Sequence, residues 1–191
     1  MRLALIATAA LALAACHQPA TQSAFKPTAS FQDVMLSVVD PAADQLWDSV
    51  STEVSKTGIV EKQPHTDDEW LAVRNQAITL AEAANLLLID GRPLATPGKA
   101  LDNKADYLNP EEIHKAIDGN RPAFVERVRE FQEAATAAVA AVDARRPHDV
   151  VEAGARLQQA CEHCHLRYWY PNGGPPPVAA ITGKPAAGTT H

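Results

Sequence analysis

The run from Cys161 to His165, with the sequence Cys-Glu-His-Cys-His, lies at the end of the last periodic apolar segment of the chain. On an α-helix, Cys161, Cys164 and His165 stand at positions i, i+3 and i+4, so their side chains share one face. That face continues an apolar stripe that begins at Val150. The last helix must therefore present two thiols and an imidazole toward the interior of the fold.

Apolar residues between positions 30 and 170 follow a helical period, and no segment shows the alternation that is typical of a strand. The sequence therefore predicts an all-α fold. Ser30 is the predicted N-cap of the first helix, and Pro41 is expected to kink or break it, with Asp40 capping the second piece. The other predicted helices are 67–90, which a capping box of Thr66 and Glu69 begins, and a short helix capped by Asn109 that runs to about Asp118. A third long helix follows Asn120, has an apolar face from Phe124 to Val142 and ends before Pro147, where the fourth begins.

The spacing Cys-x-x-Cys-His is typical of the covalent attachment of a c-type haem. The two thiols bond to the haem vinyl groups, and the adjacent histidine binds the iron. A redox-active dithiol would instead start a helix after a strand, where the helix dipole lowers the thiol pKa. A zinc site would need a third and a fourth ligand, and the chain has no second cysteine pair. We therefore predict one haem c, held by Cys161 and Cys164, with His165 as the proximal iron ligand.

With this motif near the C-terminal end of a four-helix pattern, the chain resembles the class II cytochromes c, typified by cytochrome c′. The resemblance covers about residues 30–170. It implies an antiparallel four-helix bundle with haem c attached to the last helix, and an electron carrier rather than an enzyme. It also implies the option of a homodimer through the first two helices.

The residues after the motif match the family in part. The family's aromatic residue is present as Tyr168, whereas Trp169 replaces the arginine that lies near the haem propionates in the family. Arg167 is the candidate closest in sequence for pairing with the propionates. Tyr168 and Trp169 are expected to pack against the porphyrin or to shield it.

The resemblance also directs attention to the sixth coordination position of the iron, which the N-terminal helix approaches in this family. Met35, on the apolar stripe of that helix, is the single methionine beyond residue 15. As a distal ligand it would favour electron transfer. As a core residue it would leave the iron open to nitric oxide or carbon monoxide. His114 is an alternative second ligand, and a haem that serves only to stabilise the fold is a third option.

The N-terminal residues predict export. Residues 1–15 combine Arg2 with an apolar stretch and read as a signal peptide, too short to span a membrane. The following Cys16 completes a sequence that resembles a bacterial lipobox, so we expect it to be lipidated. Residues 16–29 then read as a flexible tether and residues 171–191, rich in Pro and Gly, as a disordered tail. His17 favours the outer membrane by analogy with lipoprotein sorting.

The cysteine count and the charge agree with this assignment. The chain has three cysteines, and the two predictions use all three. Its formal net charge of −6 argues against nucleic acid as a partner. The expected partners are periplasmic or membrane redox proteins at the periplasmic face of a bacterial membrane, with the membrane itself bound through the lipid on Cys16.

Overall fold

Helices account for most of the residues that the computed structural model describes, which are 25–98 and 107–171. The predicted signal peptide, the predicted lipidation site Cys16 and all but the first residue of the predicted tail, 171–191, lie outside them. The elements are α1 (Phe31–Val34), a π-helical segment (Met35–Val39), α2 (Asp40–Asp48), β1 (Ser51–Ser55), β2 (Gly58–Lys62), α3 (Asp67–Leu87), α4 (Pro110–Gly119), α5 (Arg121–Asp143) and α6 (Pro147–Tyr168).

The first helical unit runs without a break from α1 to α2 and contains a wide π-helical turn. Ser30 caps it as predicted, in a capping box with Asp33. The helix was expected to kink or break at Pro41, and it does not break there; the predicted cap at Asp40 is wrong. Asp40 has helical dihedral angles, and its N–H donates to the Met35 carbonyl, five residues earlier. The wide turn accommodates Pro41, which lacks an N–H and would crowd a regular α-helical turn.

Helices α3, α4 and α5 begin where their capping residues predict, and α6 begins at Pro147 as predicted, without a side-chain cap. Thr66 and Asn109 form capping boxes with Glu69 and Glu112, and Asn120 caps α5. Helix α3 ends at Leu87 rather than at residue 90. The helix ends early because the N–H groups of residues 88 and 89 bond to carbonyls three residues earlier, and this tightens the last turn.

A two-stranded antiparallel hairpin joins α2 to α3, so the prediction that the chain has no strand is wrong. The strands pair from Ser51 opposite Lys62 to Ser55 opposite Gly58. Every residue of β2 is exposed. Neither face of this strand is buried, so the segment lacks the alternation of apolar and polar residues by which strands are recognised.

The long helices enclose a common apolar core. Helix α5 packs against both α3 and α6, and α2 packs against both α3 and α6. The short helix α4 covers α5 and α6. Leu46, Leu80 and Leu157, one from each of α2, α3 and α6, are completely buried in this core. No helix within the described residues is long and apolar enough to cross a membrane.

Candidate functional site

A cavity of about 320 Å³ lies between α2, α5 and α6, and the three residues of the predicted attachment motif line it. Cys161, Cys164 and His165 reach it from the last turns of α6, and all three are partly buried. Both thiols are free. The cavity volume falls in the usual range for sites that hold a cofactor or another small molecule, roughly 300–1,000 Å³.

The other walls of the cavity are mostly apolar. The π-helical segment and α2 contribute one stripe of side chains, α3 contributes its last residue, and α5 contributes a third wall. These lining residues are Met35, Val39, Asp40, Ala43, Asp44, Trp47, Leu87, Arg127, Val128 and Phe131, with Ala160 completing the α6 wall. Such a lining suits a mostly apolar ligand that carries a few charged groups.

The environment keeps the three motif side chains uncharged near neutral pH. Burial raises the pKa of Cys161 to about 12, and the neighbouring Cys164 adds to the effect. Burial likewise raises the pKa of Cys164 to about 12, against the opposing charge of Arg127. Burial lowers the pKa of His165 below its ordinary value, against the opposing charge of Glu162. The neutral imidazole is the form that binds a metal.

Met35 and His114, the two predicted candidates for a second iron ligand, lie in different places. Met35 lines the cavity from the π-helical segment. His114 lines a separate surface pocket with Asp90 and Arg92. The structure therefore brings Met35 together with the motif residues and keeps His114 apart from them.

The basic residue at the cavity is Arg127 on α5, which the sequence did not single out. Its guanidinium pairs with Glu130 at 2.6 Å. The Glu130 carboxylate also lies 2.6 Å from Nδ1 of His163, which is the residue between Glu162 and Cys164 of the motif. Glu130 therefore connects α5 to the helical turn that carries the motif. Arg167, the candidate named from the sequence, lines an outer groove and not the cavity, and its guanidinium lies over the Tyr168 ring.

Aromatic side chains surround His165. The Trp169 ring lies 5.9 Å from the His165 ring, and the Tyr170 ring lies 6.0 Å from it, both at 61° between planes. Tyr168 packs edge-on against Phe124 in the core, and neither Tyr168 nor Trp169 is among the residues that line the cavity. The sequence signal that could have identified Tyr170 is the aromatic run 168–170, which begins three residues after His165.

A second group of metal-ligating types, His148, Asp149 and Glu152, lies near the start of α6 with its ligand atoms within 4.8 Å of one another. Its carboxylates already face arginines. Arg146 pairs with Asp149 at 2.6 Å, and Arg156 approaches Glu152 at 3.7 Å. We therefore assign no metal to this exposed cluster.

Comparisons with known proteins identify no relative. No protein-family model matches the chain, and no curated protein and no solved structure matches it. The functional argument therefore rests on the residues of the cavity.

Proposed function

We propose that the chain is a c-type cytochrome that carries one covalent haem c and transfers electrons. The observation that carries this proposal is the convergence of Cys161, Cys164 and His165 on one apolar cavity large enough to hold a cofactor. Two free thiols and a neutral imidazole are the groups that covalent attachment and iron binding require.

The attachment chemistry needs no oxidant. Each thiol adds across one vinyl group, so the sulfur bonds to one vinyl carbon and the thiol hydrogen ends on the other. When bound, haem supplies an iron that takes up and releases one electron. His165 would hold the iron, and Arg127, at the cavity wall, would pair with the carboxylate substituents of the haem.

We further propose that the helices form an antiparallel four-helix bundle of the type found in class II cytochromes c. The contacts of α5 with α3 and α6, and of α2 with the same two helices, support this arrangement. The connection from α2 to α3 contains the hairpin, and α4 precedes α5.

Met35 is the proposed sixth ligand. Its place on the cavity wall supports ligation, and a thioether ligand favours the ferrous state and electron transfer. The second candidate function is capture of nitric oxide or carbon monoxide at an open site. Val39 and Ala43, apolar and buried beside Met35 on the same wall, favour this alternative because neither can bind iron.

Lipidation of Cys16 and residence at the periplasmic face of a bacterial membrane belong to the same proposal. A membrane anchor would hold the cytochrome close to membrane or periplasmic redox partners. The export signal and the haem motif support each other, because bacteria attach haem c outside the cytoplasmic membrane.

The test is an optical spectrum of the full chain, produced with a haem c maturation system, in ferric and ferrous forms with and without carbon monoxide. Covalent haem should survive denaturation and be lost when both Cys161 and Cys164 are replaced by alanine. A low-spin ferric spectrum with a charge-transfer band that Met35→Ala abolishes would support Met35 ligation.

The matched control is Leu36→Ala, because Leu36 is the next residue and is 61% exposed. It should leave the spectrum unchanged. A ferrous spectrum that shifts at once with carbon monoxide in the unsubstituted chain would exclude Met35 ligation and favour gas binding. A chain that acquires no covalent haem would overturn the whole proposal.

A further inference from the structure

The His165 imidazole is flanked by two aromatic rings from the residues that follow α6. Trp169 and Tyr170 approach it at centroid distances of 5.9 and 6.0 Å, and both rings are inclined by 61° to it. The two contacts are edge-on, the geometry that aromatic quadrupoles favour. Together they restrict the rotation of the imidazole about its side-chain bonds.

Both flanking rings are themselves fixed by contacts outside α6. The Tyr107 ring packs against Trp169 at 6.1 Å and against Tyr170 at 5.3 Å. The Leu108 N–H donates to the Trp169 carbonyl at 2.8 Å, which ties the segment before α4 to the end of α6. The rings therefore cannot swing away from His165 independently.

Tyr170 has a further anchor within the motif. Its hydroxyl donates to Glu162 Oε2 at 2.9 Å. The Tyr170 N–H also donates to the His165 carbonyl at 3.0 Å. Tyr170 is only 6% exposed, so this arrangement also keeps water from one side of the imidazole.

Imidazoles that bind a metal are normally oriented by a hydrogen bond from the second ring nitrogen to a carboxylate or carbonyl. No hydrogen bond to the His165 ring is formed among the residues that the structure describes, although its backbone accepts two. The contacts of the Trp169 and Tyr170 rings with the imidazole are the interactions that can orient it instead of a hydrogen bond.

We propose that Trp169 and Tyr170, supported by Tyr107, form an aromatic clamp that fixes the orientation of the His165 imidazole as an iron ligand. The inference rests on the proposed haem function and adds positioning residues to it. The clamp holds one imidazole plane relative to the iron and excludes water from the proximal side. Neither residue binds the iron itself.

The test is the ferric EPR spectrum of the haem-loaded full chain, because the signal reports the orientation of the axial imidazole plane. Trp169→Leu and Tyr170→Leu should each broaden the signal or split it into more than one species. Tyr170→Phe keeps the ring and loses only the bond to Glu162, so its spectrum should lie closer to that of the unsubstituted chain.

The control is Tyr168→Leu. It removes the neighbouring aromatic ring, which packs on Phe124 and not on His165. It should lower the unfolding temperature and leave the EPR signal sharp. Covalent haem with unchanged EPR spectra in both leucine variants would overturn the clamp and leave the proposed function intact. Absence of covalent haem in the unsubstituted chain would overturn both.

Discussion

Gly154 of α6 lies directly against Trp47 of α2. A Cβ atom at this position would lie 2.9 Å from Cδ1 and 3.2 Å from Nε1 of Trp47. The Trp47 indole also donates to the Gly154 carbonyl at 3.0 Å. Because Trp47 lines the cavity, the absence of a side chain at Gly154 sets the position of one cavity wall.

Gly154→Ala should therefore lower the free energy of unfolding by up to about 2 kcal/mol. The added methyl group displaces the Trp47 ring, and this overpacking costs more than the roughly 1 kcal/mol that alanine gains in helix propensity. Urea denaturation measures the change. Gly119→Ala is the control, because nothing lies within 4 Å of a Cβ at that position and stability should stay the same or rise. Equal effects of the two substitutions would mean that the Trp47 ring shifts without cost.

At the scale of single elements, the start of α3 depends on one carboxylate. Glu69 accepts hydrogen bonds from the N–H groups of His65 at 2.7 Å and of Thr66 at 2.9 Å. These bonds favour the charged form and hold the pKa of Glu69 below its ordinary value of 4.5. The lowered pKa makes the stability of the capping box dependent on pH.

The sign of this dependence follows from the direction of the pKa shift. The unfolded chain takes up a proton at Glu69 more readily than the folded chain. The stabilisation is therefore complete well above pH 4.5 and is lost as the pH falls through the folded pKa. Glu69→Gln should unfold more readily than the unsubstituted chain at pH 7, and the difference should shrink below pH 4.

Thermal unfolding followed by circular dichroism across pH 3–7 measures this difference. Asp68→Asn removes a charge from the same first turn but from outside the capping box, so it controls for the helix dipole. A constant difference between Glu69→Gln and the unsubstituted chain over this pH range would contradict the prediction.

The capped helices were the part of the fold that the sequence could predict. Ser30, Thr66, Asn109 and Asn120 each begin a helix where capping chemistry places it, because a cap needs only local hydrogen bonds. The buried stripe of α5 was also predicted correctly, from Phe124 to Val142.

The incorrect predictions about the fold have a common physical origin. The pattern of apolar residues does not reveal a backbone irregularity or a strand without a buried face. The π-helical turn adds a residue to the first helix, so a regular period does not describe its buried face. Val34 and Val39 are the buried residues on either side of this turn, and Met35 is partly buried at the cavity wall. The hairpin has no buried face on β2, so no apolar pattern could reveal it.

Residue spacing alone predicted the α6 wall of the cavity, and the family resemblance added Met35 on the opposite wall. The spacing of Cys161, Cys164 and His165 places them on one helix face, and no long-range information is needed for that. Arg127 and Tyr107 come from segments distant in sequence, so their proximity to the site depends on how the helices pack.

At the scale of the whole molecule, one buried arginine connects the start of the first helix to the end of α3. Arg92 is only 4% exposed. Its Nε donates to the Leu86 carbonyl at 2.9 Å, and its Nη1 donates to the Ala29 carbonyl. The same junction contains backbone bonds from Phe31 to Pro93 at 2.8 Å and from residue 32 to residue 94 at 3.0 Å.

This junction fixes the helical unit that carries Met35 and the far wall of the cavity against α3. Arg92→Met should lower the free energy of unfolding by roughly 1–3 kcal/mol, because the Ala29 carbonyl loses the arginine donor, whereas the Leu86 carbonyl keeps a bond from the N–H of residue 89. Arg92→Lys, which keeps a donor but not the planar fork, should have a smaller effect. Urea denaturation gives the values.

Arg156→Met serves as the control, since Arg156 is 62% exposed and lies 3.7 Å from Glu152, and it should change stability by less than about 0.5 kcal/mol. The position of Met35 gives the prediction a second readout. If the junction holds the first helical unit in place, Arg92→Met should also alter the optical spectrum of the haem-loaded chain, which Arg156→Met should not. A large loss of stability with an unchanged spectrum would mean that contacts along α2 alone keep Met35 at the cavity.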